Sequence, residues 1–206
     1  MSDPAATLTL GLEELGLATT DPQRQALLEL AGLVERWGAR INLTGHRDLD
    51  TILRRLVLDS AALVAHLPDL PSVADLGSGA GFPGFPMAIL RPECALTLIE
   101  AREKRHYFQR TVSRELGLAN ATPVRGRAEE IEAFPHAAVI AQAMAQPDAA
   151  LVPMLRWVEI GGLLFLPGGT RAPVADDPQV VTEAVVSYRV PLGGPERTLW
   201  MGRRRG

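Results

Sequence analysis

The residues with the clearest chemical potential lie in one stretch, Val73-Ala74-Asp75-Leu76-Gly77-Ser78-Gly79-Ala80-Gly81-Phe82-Pro83-Gly84-Phe85-Pro86. An apolar run fit for a buried strand gives way to four glycines within eight residues, and a helical segment, Met87 to Leu90, follows. A strand, a glycine-rich turn and a helix bring backbone N–H groups and a helix N-terminus up to a ligand. Glycine is required there because a Cβ would block the approach or forbid a positive φ. The chemistry this predicts is the binding of a nucleotide-type molecule. A turn that merely joins strand to helix is the plainer alternative, but four such glycines exceed what packing needs.

Two ligand classes fit the loop. Gly77-x-Gly79-x-Gly81, with Asp75 just before it, resembles the first motif of S-adenosylmethionine-dependent methyltransferases. Gly79-x-Gly81-x-x-Gly84 also satisfies the dinucleotide fingerprint, and Glu100 lies 21 residues after Gly79, where a ribose-binding acid is expected. Both ligands carry a ribose diol, so Glu100 does not separate them.

The elements that must position this loop decide more. Leu8, Leu12 and Leu15 form a weak helical pattern that ends near Gly16. Asp21-Pro22 then makes a helix start, followed by Leu27, Leu30, Ala31, Val34 and Trp37 at helical spacing. Ile41 to Gly45 breaks the pattern, Asp48 caps the next helix, and an apolar face is predicted through Ile52, Leu56, Leu63 and Leu67. Pro68 and Pro71 close it. From residue 72 onward strand-like runs (Ser72–Gly77, Ala95–Ile99, Thr122–Arg125, Ala137–Ala141, Gly162–Leu166) alternate with helical ones (Phe85–Leu90, Arg102–Leu116, a short turn at Glu129–Glu132, Ala149–Val158). Such alternation predicts a mostly parallel sheet with helices on both faces. After Pro167-Gly168-Gly169 come a polar loop, a short helix and a hairpin of Ala184–Val190 with Arg197–Met201. The tail Arg203-Arg204-Arg205 reads as a solvated, frayed end.

Five β/α units closed by a β-hairpin are the architecture of the seven-stranded methyltransferases. A dinucleotide domain would continue into a substrate domain, for which this chain has no residues left. The expected fold is therefore α/β: a seven-stranded class I methyltransferase (Rossmann-like) sheet with helices on both faces, preceded by an N-terminal helical segment. The expected division is residues 1–68 for that segment, packed on the catalytic domain, and 69–206 for the catalytic domain itself.

Composition sets outer bounds. The chain has 206 residues, 47% apolar and 22% charged, and a net charge of −3, so no global basic field announces a nucleic-acid partner. Twenty arginines stand against a single lysine, Lys104, a bias that suits phosphate recognition and GC-rich coding equally. No apolar run is long enough to span a bilayer, no signal peptide is visible, and the lone Cys94 has no partner for an internal disulfide. A cytoplasmic protein without membrane or metal partners, and monomeric, is the expectation.

The motifs then converge on one family. Asn42-Leu43-Thr44 with Arg47-Asp48 resembles the N-L-T-x-x-R-D segment of the ribosomal RNA small-subunit methyltransferase G family (glucose-inhibited division protein B), and Leu58-Asp59-Ser60 resembles its L-D-S. Asp75 to Pro86 follows its D-x-G-[ST]-G-x-G-x-P-G-x-P, Lys104-Arg105 with Phe108 its K-R-x-x-F, and Arg127 to Glu130 its R-x-E-E. The resemblance implies N7 methylation of a guanine in 16S rRNA with S-adenosylmethionine as cofactor. Gly77, Ser78, Gly79, Gly81 and Phe82 would line the methionine end, Glu100 with Ala101 the ribose, and Ala128-Glu129 the adenine. Glu129 and Glu130 have a plainer reading as a helix N-terminal acidic pair. Arg47, Arg54, Arg55, Lys104 and Arg105 would contact RNA around the cofactor mouth, although the cations of residues 102–114 equally fit a solvated helix face.

Guanine N7 has a free lone pair and no proton to lose, so the enzyme must chiefly align two reactants and exclude water. Departures from the family's pattern touch that alignment. Arg55-Leu56 stands where R-H is usual, Ala141-Gln142-Ala143 where S-R-A is usual, and Pro167-Gly168 where K-G is usual. Gln142 and Arg55 are the candidate catalytic residues, with Gln142 also placed against the cofactor at the end of the fourth strand.

Overall fold

The computed structural model describes residues 3–142, 147–169 and 177–206. Helix α1 (Pro4–Glu14) starts at Asp3, whose carboxylate accepts from the Ala5 N–H. Helix α2 (Asp21–Gly38) starts with a reciprocal cap: Thr20 Oγ1 accepts from the Gln23 N–H, and Gln23 Oε1 accepts from the Thr20 N–H. Leu27, Leu30, Ala31 and Val34 are buried as their spacing predicts.

The next helical stretch departs from the expected face. Asp48 caps α3 (Leu49–Ile52), but residues Leu53–Val57 form a π-turn before α4 (Leu58–Val64). The wider turn inserts a residue and rotates everything after it. Leu53, Val57 and Leu58 are therefore buried, whereas Leu56 is only half-buried; Ile52, Leu63 and Leu67 keep their expected places in the core.

Seven strands form one sheet: β1 (Ser72–Leu76), β2 (Ala95–Glu100), β3 (Ala121–Arg125), β4 (His136–Ala141), β5 (Val158–Gly168), β6 (Val180–Arg189) and β7 (Glu196–Arg204). Their order is β3-β2-β1-β4-β5-β7-β6. The first five run parallel, and β7 lies antiparallel to both β5 and β6. An antiparallel strand inserted beside β5 separates this sheet from the 3-2-1-4-5-6 dinucleotide order.

Helices cover the two faces unequally. The N-terminal helices, α5 (Gly84–Leu90) and α6 (Glu103–Glu115) share one apolar cluster with Val73, Leu96, Leu98 and Ile140. On the other face α7 (Pro147–Trp157) packs Leu151, Met154 and Trp157 over Ala74, Leu76 and Val139. The β3–β4 crossover holds only a turn near Glu129, as expected. The polar loop and short helix expected after Gly169 fall largely on residues 170–176, and Ala143 likewise lies outside the described residues.

The C-terminal tail corrects its expectation. It is not a frayed end: β7 runs through Arg204, which pairs with Val180. Arg204 Nη1 donates to the carbonyls of Leu155 and Val158 at 2.8 and 2.6 Å, capping the end of α7 as cationic side chains do. Arg203 pairs with Glu183 and donates to the Gly161 carbonyl.

Candidate functional site

The glycine loop leaves the carboxyl end of β1, at the middle of the sheet, through three residues that only glycine adopts readily: Gly77 (φ 69°), Gly79 (φ 58°) and Gly81 (φ 86°). Their surroundings differ. A Cβ on Gly77 would meet nothing within 4 Å, so that residue faces open space, whereas a Cβ on Gly81 would lie 2.1 Å from the Phe85 ring. Ser78 points inward: its N–H and its Oγ both donate to the Ile99 carbonyl, at 3.0 and 3.2 Å. It thus ties the loop to β2 from behind.

Gln109, which the sequence reading missed, holds the same loop from α6. It is fully buried, and its Nε2 donates to Ser78 Oγ at 2.8 Å and to the Gly79 carbonyl at 2.9 Å. The signal was a polar residue at inward helical spacing beside Phe108 and Val112.

Asp75 sits beneath the loop with 1% exposure. Its Oδ2 accepts from the Gly84 N–H at 3.1 Å, while Oδ1 has no partner. Burial pushes its carboxyl up to about 7, against the Gly84 hydrogen bond and with help from the Glu100 charge. A raised carboxyl favours the protonated folded state, so its contribution to stability is present below the ordinary carboxylate range and is lost as pH rises through about 7. Asp75→Asn keeps an acceptor for Gly84 and does not ionise. Without cofactor it should be more stable than wild type at about pH 8 and show a flatter profile from about pH 5 upward, read by urea unfolding. Parallel profiles for the two proteins would refute this.

Glu100 ends β2 and is 5% exposed; its Oε1 accepts from the Arg102 N–H at 2.7 Å, and Arg105 Nη1 stands 3.9 Å from Oε2. A cavity of about 120 Å³ opens beside it, lined by Gly77, Glu100, Ala101, Ala128 and Glu129 among others. Trp157 Nε1 donates to the Ala128 carbonyl at 3.0 Å and Arg156 donates to the Glu129 carbonyl, which fixes the far wall. Five candidate cofactor residues from three strand ends thus meet in one place. Ser78, Gly79, Gly81 and Phe82 shape the loop without lining that cavity. Gln142 follows β4 directly and is exposed, also outside the cavity lining.

The candidate RNA contacts divide. Arg47 donates to the Gly38 carbonyl at the end of α2, Arg54 pairs with Asp50 at 3.0 Å, and Arg105 leans on Glu100. Arg55 and Lys104 are exposed and make no ion pair among the described residues. Nor do the described residues hold a group of three His, Cys, Asp or Glu side chains suited to a metal ion, or a helix long and apolar enough to cross a membrane.

Comparison with known proteins adds to this geometry. A family model described as GidB, rRNA small subunit methyltransferase G, matches residues 23–179. A ribosomal RNA small subunit methyltransferase G of Aromatoleum aromaticum is 38% identical over 172 residues, covering 80% of this chain and 77% of that protein. Among solved structures, a putative O-methyltransferase from Klebsiella pneumoniae superposes with a TM-score of 0.61 at 15% identity, covering 98% of this chain and 97% of the other. TYW2 of M. jannaschii, solved in complex with AdoMet, superposes with a TM-score of 0.60 at 11% identity, covering 82% of this chain and 80% of the other.

Proposed function

The chain belongs to the rRNA small subunit methyltransferase G family, and from that premise we propose that it moves a methyl group from S-adenosylmethionine to N7 of a guanine in 16S rRNA. The observation that carries the cofactor assignment is the convergence of Gly77, Glu100, Ala101, Ala128 and Glu129 on one cavity at the carboxyl edge of the sheet. These residues fit S-adenosylmethionine. Glu100 offers a nearly buried carboxylate at the edge of that cavity to a ribose diol. When bound, the cofactor supplies a methyl group on a positively charged sulfur. The protein's own work is alignment: the loop is stiffened by Ser78 and Gln109, and the adenine wall by Trp157 and Arg156. We take the protein to act in the cytoplasm as a monomer, with residues 1–68 packed as a helical segment on a catalytic domain of 69–206.

Calorimetry against S-adenosylmethionine, its demethylated product and NAD tests the cofactor assignment, and binding of NAD alone would sink it. Incubation with labelled cofactor and small ribosomal subunits, followed by mapping of the label, tests the reaction.

Gln142 sets the expected rate. It directly follows β4 at the carboxyl edge of the sheet, at the place where the family's pattern usually has an arginine. Glutamine keeps two amide donors but no charge. A hydrogen bond to a charged group contributes about 1.5–3 kcal/mol and a neutral one about 0.5–1.5, so the deficit is on the order of 1 kcal/mol. Gln142→Arg should raise methyl transfer by up to about tenfold. If wild type and this variant both fail to label any RNA while still binding the cofactor, a non-catalytic sensor becomes the better reading.

A further inference from the structure

The chain's cations are not evenly neutralised. Most described arginines are held by a carboxylate or a backbone carbonyl, including Arg197 on Asp59, Arg125 on Glu103 and Arg156 on Ala128. Every described cation without such a partner lies between residues 36 and 114. Arg36 lies in the last turn of α2 and Arg40 two residues past its end; Lys104, Arg110 and Arg114 lie on α6 with Arg102 at its N-cap, and Arg55 stands apart in the π-turn. A chain of net charge −3 therefore carries most of its uncompensated positive charge on or beside these two helices.

The seam between them carries an aromatic ring that the core does not use. Trp37 of α2 packs on Phe108 of α6 at 5.6 Å and on Tyr107 at 5.7 Å. Phe108 is buried, but Tyr107 is 58% exposed. Lys104, Arg110 and Arg114 are three or seven residues from Tyr107, so they share its side of the helix. Helix α6 itself starts at Glu103, two residues past Ala101 of the cavity lining, and Tyr107 lies in its second turn.

We propose that this seam receives an unpaired nucleotide of the RNA substrate, with its base stacked on Tyr107 and the flanking phosphates on Lys104, Arg110 and Arg114. The proposal rests on the rRNA reading above and specifies the contact. An aromatic face bracketed by unpaired cations is what single-stranded nucleic acid requires. A duplex has no free base face to offer, and an acidic protein segment would use the charges but leave the ring idle. The seam also completes what the sequence-based list of RNA contacts lacks, since Arg47, Arg54 and Arg105 are committed elsewhere.

Fluorescence anisotropy with labelled oligoadenylate, the same strand in a duplex, and small ribosomal subunits tests this. Tyr107→Ala should weaken oligoadenylate binding roughly 5- to 150-fold, the range of one base–aromatic stack, and Tyr107→Trp should retain it. Arg110→Ala should reduce the salt slope by about 0.7. Affinity for S-adenosylmethionine should not change in any of the three. Wild-type affinity in Tyr107→Ala, equal binding of the duplex, or full competition by polyglutamate would each overturn the proposal. Subunit binding that ignores these substitutions refutes the seam alone. A wild-type protein that binds cofactor but neither RNA nor subunits refutes the rRNA reading itself.

Discussion

Gly81→Ala should lose binding of S-adenosylmethionine and destabilise the fold by several kcal/mol. Two costs add. The residue sits at φ 86°, where a side chain costs on the order of 1–3 kcal/mol. The new Cβ would also lie 2.1 and 2.3 Å from two carbons of the Phe85 ring. That ring is fully buried among the residues joining α5 to the sheet, so it cannot swing aside, and overpacking of this kind costs roughly 1–3 kcal/mol more. The loop must then shift, and with it Gly77, which lines the cavity proposed for the cofactor. Gly79→Ala should cost only the backbone share, because its Cβ would meet nothing closer than 3.8 Å. Gly45→Ala, with open space around it and no positive φ, serves as the neutral control. Urea unfolding and calorimetry on the three variants check the order. Gly81→Ala that binds cofactor like the Gly45 variant would refute this account.

The loop was legible in the sequence because its conformation leaves only one residue type available, and three of its glycines do adopt positive φ. The sheet was legible because β/α alternation and a terminal hairpin admit few topologies. What stayed hidden has its partners far away or unmarked. The π-turn at Leu53–Val57 adds one residue to an otherwise regular pattern, and nothing in Leu53-Arg54-Arg55-Leu56 announces it. Gln109 reads as one more polar residue on an amphipathic helix until the loop 30 residues away appears above it. Arginine was the least legible type. Whether a guanidinium is free for RNA depends on acceptors such as the Gly38 carbonyl for Arg47 or the Leu155 carbonyl for Arg204, and a backbone acceptor has no sequence signature. The Leu58-Asp59-Ser60 motif was visible as a resemblance only; its physical reason lies 138 residues further on.

That reason supports the other large effect. Asp59 of α4 is 9% exposed and takes a forked pair of bonds from Arg197 of β7, with Nε at 3.1 and 3.2 Å from its two oxygens and Nη2 at 2.6 Å. Hydrogen bonding to Asp59 raises the Arg197 guanidinium above its ordinary value, which already keeps an arginine charged. Tyr188, opposite Arg197 on β6, stacks on His66 just beyond α4 at 4.8 Å. Together these contacts strap the N-terminal helices to the antiparallel edge of the sheet. Removing one partner of a fully buried pair costs about 3–5 kcal/mol, because the other is stranded. The Arg197 side chain keeps 29% of its surface in solvent, so Asp59→Ala should cost about 2–3 kcal/mol and lower Tm by about 5–10 °C. Arg197→Leu alone should cost as much or more, since it strands the better-buried carboxylate. The Asp59→Leu, Arg197→Leu double variant should recover much of the loss, as apolar replacements of buried ion pairs do. If Arg55, four residues before Asp59, serves the reaction as proposed from the family resemblance, methyl transfer should fall with the strap even where the fold survives, and the double variant should regain stability before it regains rate. A double-mutant cycle by urea unfolding reads the coupling directly. Single and double losses that merely add would show the pair to be a surface contact with no hold on the helices.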